Sequence, residues 1–371
     1  MWKLPDSLAQ RFPLVARARP ACLPLPRRVQ ALTDLADTAV KLDDPGVAST
    51  VYNQAALLAS DIGDVTTARA MCHQHADAYL HAAPLPGKSA IRALEPVVNL
   101  ARLQLRSGQG DQGRHRLLTL FDAVTNASPI EIEGISVPAD LVANAADRQE
   151  VRTWLWTVLL ADGTRALTSS GRWSEALVHV QTHHGVGQRL FDGRQVAVIA
   201  ALTSGDSTEA SSLLNQTVPQ ETWEEAVMDC LNVVYRRSSG KPWLPSLWDL
   251  VTTYLERPDR NELAVFDTRF GLAVLDLIDS DEDTIPRSVV AELHRCATRT
   301  MDGYSAREAL AHPLFAALAT DQEVQDCRAL LEACALGAGP LPTELGNRLT
   351  AALRTSDRVI RRCAIPTDQA E

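Results

Sequence analysis

The chain has 371 residues, of which 46% are hydrophobic and 22% charged, and its formal net charge is −10. That balance excludes an intrinsically disordered chain, and the length suits two to three ordinary domains or one long array. An acidic surface repels a phosphate backbone, and no window approaches ~18 uninterrupted apolar residues, so neither a general nucleic-acid binder nor a membrane span is expected.

Ala, Leu and Arg dominate over β-branched and aromatic residues, which favours helix. The same bias, with little Lys, suits a high-GC bacterium. The seven cysteines, Cys22, Cys72, Cys230, Cys296, Cys327, Cys334 and Cys363, include no C-x-x-C pair, as expected of reduced thiols. The start "MWKLPDSLAQRFPLV" has an early acid and no apolar h-region, so no secretory signal is expected and the expected location is cytoplasmic.

Residues 1–27 read as a basic, Pro-containing arm. It carries Arg11, Arg17, Arg19, Arg27 and Arg28 with no acid between them. The arm is expected to pack over the first helix. Its functional alternative is a basic patch of Arg17, Arg19, Arg27 and Arg28, the one place where nucleic acid could bind.

Residues 28–220 carry a recurring spacing. Gly63, Gly108, Gly171 and Gly205 are each followed five residues later by a small residue: Ala68, Gly113, Ala176 and Ala210. The last two glycines lie 34 residues apart. Glycine can take the left-handed conformation that ends a helix. The following Asp64 or Asp206 can cap the next helix, and Glu209 after Asp206 resembles a capping box. The small residue then sits where the second helix crosses the first. Ala56, Ala101 and Thr164, each seven residues before its glycine, fill the opposing small position, which Val198 replaces in the fourth unit.

The segment "GRWSEAL" carries the pattern best, with Trp173 at the usual aromatic position, and here the chain resembles the tetratricopeptide-repeat superfamily. The resemblance covers roughly residues 28–220. It implies an all-α, helical-hairpin solenoid, a TPR-like α-α superhelix. The first three glycines are spaced 45 and then 63 residues apart, which implies an insertion at about 124–149. Its alternating "IEIEGISV" reads as a short hairpin or an extended loop. From 221 to 363 the glycine pattern fades while helical periodicity continues, so degenerate helical repeats and a charged capping helix are expected. Residues 364–371 read as a loose tail.

Motifs that could carry chemistry are weak. His179 and His183 lie one helical turn apart, but Val180 stands where a zinc helix needs glutamate, and packing histidines are expected, as they are for Cys72 and His75. Gly87-Lys88-Ser89 lacks both the earlier glycine and the strand of a phosphate loop. Asp279, Asp281 and Asp283 open like a calcium loop, but Thr284 and Val290 occupy its glycine and glutamate positions. No cofactor or metal is expected.

The resemblance places Asn53, Leu57, Val98, Arg102, Arg106, Val158, Arg165, Gln195 and Ile199 on the inner face. Of these, Asn53, Arg102, Arg106, Arg165 and Gln195 are the candidate ligand- or partner-binding residues, since arginines and amides suit carboxylates and backbone amides. The leading expectation is a peptide- or protein-binding, scaffold or regulatory protein that grips its partner in a concave groove. The alternative is a helical-scaffold enzyme of a bacterial small-molecule or peptide-tailoring pathway, such as a carrier- or tRNA-dependent transferase. Trp243 and Trp248 suggest a self-association surface, and the oligomeric state stays open.

Overall fold

In chain order, residues 2–258, 261–278 and 284–364, described by a computed structural model, form α1 (Asp6–Ala9), α2 (Leu25–Leu42), α3 (Pro45–Asp61), α4 (Val65–Leu80), α5 (Gly87–Arg106) and α6 (Gly110–Asn126). A hairpin of β1 (Ile130–Ile132) and β2 (Ile135–Val137) follows, and then α7 (Ala145–Val158), a π turn (Leu159–Gly163), α8 (Thr164–Thr168) and α9 (Trp173–Thr182). The remainder is α10 (Asp192–Ser204), α11 (Ser207–Asn215), α12 (Thr222–Ser238), α13 (Leu244–Leu255), α14 (Ala264–Leu277), α15 (Thr284–Thr300), α16 (Gly303–Leu310), α17 (Pro313–Leu318), α18 (Asp321–Ala333) and α19 (Thr343–Ala364). With 73% helix, the chain is all-α as expected. Among the described residues, no helix is long and apolar enough to cross a membrane.

The recurring turns form for the reason their spacing gives. Gly63, Gly108, Gly171 and Gly205 have φ of 92°, 79°, 69° and 81°, a region that side chains disfavour. Asp64 accepts a hydrogen bond from the Thr67 amide at 3.0 Å, and Asp206 accepts one from the Glu209 amide at 2.9 Å. Asp206 thus makes the side-chain half of a capping box, whereas the reciprocal pair forms at Thr320 and Glu323. Ala68, Ala176 and Ala210 are fully buried. A Cβ on Gly113 would lie 2.1 Å from the Leu105 side chain and 2.8 Å from the Ala101 carbonyl oxygen, so α5 and α6 close to a distance that only glycine permits.

The chain divides into two compact units, neither continuous in sequence. One comprises Leu25–Ala166 with Ala335–Glu371. In it, α3 packs on α4, α4 on α5 and α5 on α6, while α5 also touches α3 and α7. The last helix, α19, returns to cover α2 and α3, burying Leu349, Leu353, Ser356 and Ile360 at steps of four, three and four residues, with Val359 beside them. The insertion is a hairpin pairing Ile130 with Val137 and Ile132 with Ile135. Its turn residues Glu133 and Gly134 both have positive φ, which matches the twist of a two-residue loop. Arg69 of α4 and Arg116 of α6 bind the Glu133 carboxylate and tie the hairpin to the helices.

The other unit comprises Met1–Pro24 with Leu167–Cys334. Its centre is α10, buried without interruption from Asp192 to Leu202. The N-terminal arm, expected over the first helix, is instead built into this unit. Leu8, Phe12, Leu14 and Cys22 are buried, and Arg11 reaches Asp276 at 2.8 Å. The Cys22 amide donates to Asp302 at 2.7 Å, and the Cys22 carbonyl accepts from the Gly303 amide at 2.8 Å. Apolar residues between arginines give the arm an inner side, and aspartates meet its charges. The predicted tail beyond Ala364 and the acidic run of Asp279, Asp281 and Asp283 lie outside the described residues.

Candidate functional site

Helix α5 presents Glu95, Asn99, Arg102 and Arg106 at steps of four, three and four residues, which is one face of a helix. Asn53 and Ser60 of α3 stand beside that face, as α3 and α5 are in contact. A row of hydrogen bonds joins them. The Arg102 guanidinium donates to Asn99 Oδ1 at 3.2 Å, Asn99 donates to Asn53 Oδ1 at 2.9 Å, and Asn53 donates to the Glu95 carboxylate at 2.6 Å. Arg102 Nε also donates to Asp162 at 2.8 Å. Asp162 lies within the π turn, where the wider winding adds a residue to the helix. Farther along, Arg106 donates to Ser60 and Asp61, and Asp61 also accepts from the buried Arg28 at 2.8 Å.

This row is half in solvent. Arg102 and Arg106 side chains are 46% and 48% exposed, while Asp61 is held at 6%. Burial raises the Glu95 carboxyl above the usual glutamate range, opposed by the Asn53 hydrogen bond and by the charges of Arg92 and Arg102. Asn53 and Asn99 each keep a second amide N–H, and Arg102 keeps further donors beyond the bonds it makes. The exposed edge is therefore rich in donors whose positions are fixed by neighbours, a chemistry suited to peptide carbonyls and carboxylates.

Of the residues expected on an inner face, Asn53, Arg102 and Arg106 come together here. Arg165 is half-buried and makes no hydrogen bond or ion pair among the described residues. Gln195 is not on an open face at all. It is fully buried in the other unit, where it accepts from the Leu14 amide and donates to the Leu14 carbonyl, both at 2.7 Å. Val98, Val158 and Ile199 are also core residues, each less than 9% exposed.

Sequence reasoning missed Glu95, Asn99 and Asp162. Extending the Arg102–Arg106 stripe backwards by three and seven residues would have found Asn99 and Glu95 in place of Val98. Asp162 could not have been found so, since the π turn breaks the regular count.

The expected basic patch divides between the units, with Arg17 and Arg19 in one and Arg27 and Arg28 in the other. Arg17 pairs with Asp192, and Arg28 pairs with Asp61. His179 is buried with its ring centroid 4.9 Å from that of His183, and Cys72 and His75 are core residues. Among the described residues, no group of three His, Cys, Asp or Glu side chains could hold a metal ion. At the start of α5, carboxylate oxygens of Glu150 and Asp147 lie 2.3 and 2.9 Å from where a Gly87 Cβ would stand, so acids occupy the place a phosphate would need. Trp243 is half-buried under the Arg237 guanidinium, 4.2 Å from the ring centroid.

No family model, curated protein or solved structure gives a significant match to this chain.

Proposed function

We propose that the protein is a TPR-like binding or scaffold protein, and that the α3/α5 face grips an extended segment of a peptide or protein partner. What supports the reading is that α3 packs on α4 and α5 on α6 across the turns at Gly63 and Gly108, and that α5 touches both α3 and α7. In that arrangement the first helices of the pairs supply a common inner face. The observation that carries the reading is the hydrogen-bonded row from Arg102 through Asn99 to Asn53. Side chains already held in place lose little further freedom on binding, so their spare donors contribute more of their bond energy to affinity.

The test is quantitative co-purification with mass-spectrometric identification, comparing the wild type with Asn99→Ala/Arg102→Glu and with Arg102→Glu/Arg165→Glu. Partner recovery is expected to fall about tenfold or more in both, with helical content by circular dichroism unchanged, since each lost charged contact is worth about 1.5–3 kcal/mol. Unchanged recovery in both variants would remove the face from the function.

A further inference from the structure

A cleft of about 800 Å³ opens between α4 and α19, with Tyr52 of α3 at its floor. Its apolar floor is made by Met71, Leu353 and the Tyr52 ring, all buried against the unit's core. One end is closed by Arg361, which binds Asp77 at 2.6 Å and Asp357 at 2.9 Å and so neutralises much of their charge. The rim carries two more arginines one helical turn apart, Arg354 and Arg358, both exposed.

Neither has a carboxylate partner among the described residues. Arg358 donates only to the Arg354 carbonyl at 3.4 Å and the Thr355 hydroxyl at 3.3 Å, both neutral acceptors. Three arginines against two aspartates leave the cleft a net positive charge on a chain whose formal charge is −10. A concavity that opposes the sign of the whole surface concentrates counter-charged ligands. Its volume lies in the range of small-molecule sites, and its mix of apolar floor and few charged groups is theirs too.

We propose that this cleft binds a small amphiphilic carboxylate. The apolar body lies on Met71, Leu353 and the Tyr52 ring, and the carboxylate is held at the rim by Arg354 and Arg358. Two guanidinium forks on adjacent turns match the planar, two-oxygen geometry of a carboxylate, which lysines would not reproduce. The site is independent of the peptide-binding reading, because it shares no side chain with the Asn53–Arg102 row.

The test is isothermal titration calorimetry of the full chain with decanoate as probe. Decanol and decyltrimethylammonium serve as uncharged and cationic probes with the same tail, and acetate carries the charge alone. Saturable binding of one decanoate per chain is expected, weakened about tenfold or more by raising salt, by Arg354→Glu/Arg358→Glu, or by decanol in place of decanoate. Ala70→Trp, which fills the rim without removing a charge, should weaken it as well, and Arg328→Glu, on an exposed part of α18, should leave it unchanged. Absence of saturable binding up to about 1 mM overturns the proposal. So does equal affinity for the cationic probe, or binding that Arg354→Glu/Arg358→Glu and Ala70→Trp both leave intact. Decanoate binding lost equally in Arg328→Glu would mark a general charge effect and also overturn it.

Discussion

His75 lies on α4 with 0% exposure, its ring stacked on Tyr52 at 5.0 Å between centroids and tilted against Tyr79 at 5.9 Å. Neither ring nitrogen has a hydrogen-bond partner among the described residues. Burial alone pushes the imidazole down to about 3, from an ordinary 6.5. The folded protein therefore refuses a proton that the unfolded chain accepts once the pH drops below about 6.5. Stability from this group is present above that pH and lost as the pH falls towards 3. At 1.36 kcal/mol for each tenfold change, going from about pH 7 to about pH 4.5 costs about 2.5 kcal/mol. His75→Phe keeps the stacked ring and removes the titration. At neutral pH its sign is open to two opposing effects, relief of two unpaired nitrogens and overpacking by a larger ring, each about 1–3 kcal/mol. The pH dependence is free of that conflict. Urea unfolding at the two pH values should show the wild type losing about 2.5 kcal/mol more than His75→Phe. A difference below about 0.5 kcal/mol would refute the reasoning, because His75 would then be reaching a partner or solvent when protonated.

Gly113→Ala should destabilise the protein by about 1–2 kcal/mol in chemical denaturation, although alanine is the better helix former by about 1 kcal/mol, because the added methyl meets the Ala101 carbonyl at 2.8 Å. A stabilised variant would mean that α5 and α6 can part without cost. Gln195→Ala leaves the buried Leu14 amide and carbonyl without their side-chain partner, at about 1–3 kcal/mol each. Faster tryptic cleavage after Arg17 is the expected readout, and an unchanged rate would show that the arm is held elsewhere.

The glycine turns were legible because one local rule, a left-handed glycine ending a helix, acts within a few positions, and at Gly63 and Gly205 a capping aspartate reinforces it. Ala68, Ala176 and Ala210 followed from the same rule, since a helix crossing needs a small residue whatever lies beyond it. The inner face was less legible. Val98 and Asn99 differ by one step on the helix, about 100°, and that step separates core from surface. Gln195 failed for a different reason. Its helix α10 is buried on all sides, and what buries Gln195 is Leu14, 181 residues away in sequence. No periodicity within α10 can register a partner so distant. The same holds for Arg17 with Asp192 and for Arg28 with Asp61, where an apparent basic patch dissolves into separate ion pairs.

Long-range closure is also what makes the ends of the chain consequential. Helix α19 reads from sequence as a cap on whatever precedes it, yet it covers α2 and α3, more than 280 residues earlier, and its Arg361 pairs with Asp77. Its buried Leu349, Leu353, Val359 and Ile360 each contribute about 1.5–3 kcal/mol by burial, together comparable with the whole stability of an ordinary domain. Residues 25–166 alone would keep the α3–α6 pairs but leave the apolar side of α2 and α3 in water. Such a fragment should unfold without cooperativity or associate. Joining 335–364 to it through a flexible linker should restore a single sharp transition by circular dichroism. Cooperative unfolding of 25–166 without that helix would mean that α19 is an accessory, and that the unit's core is complete within the helical pairs.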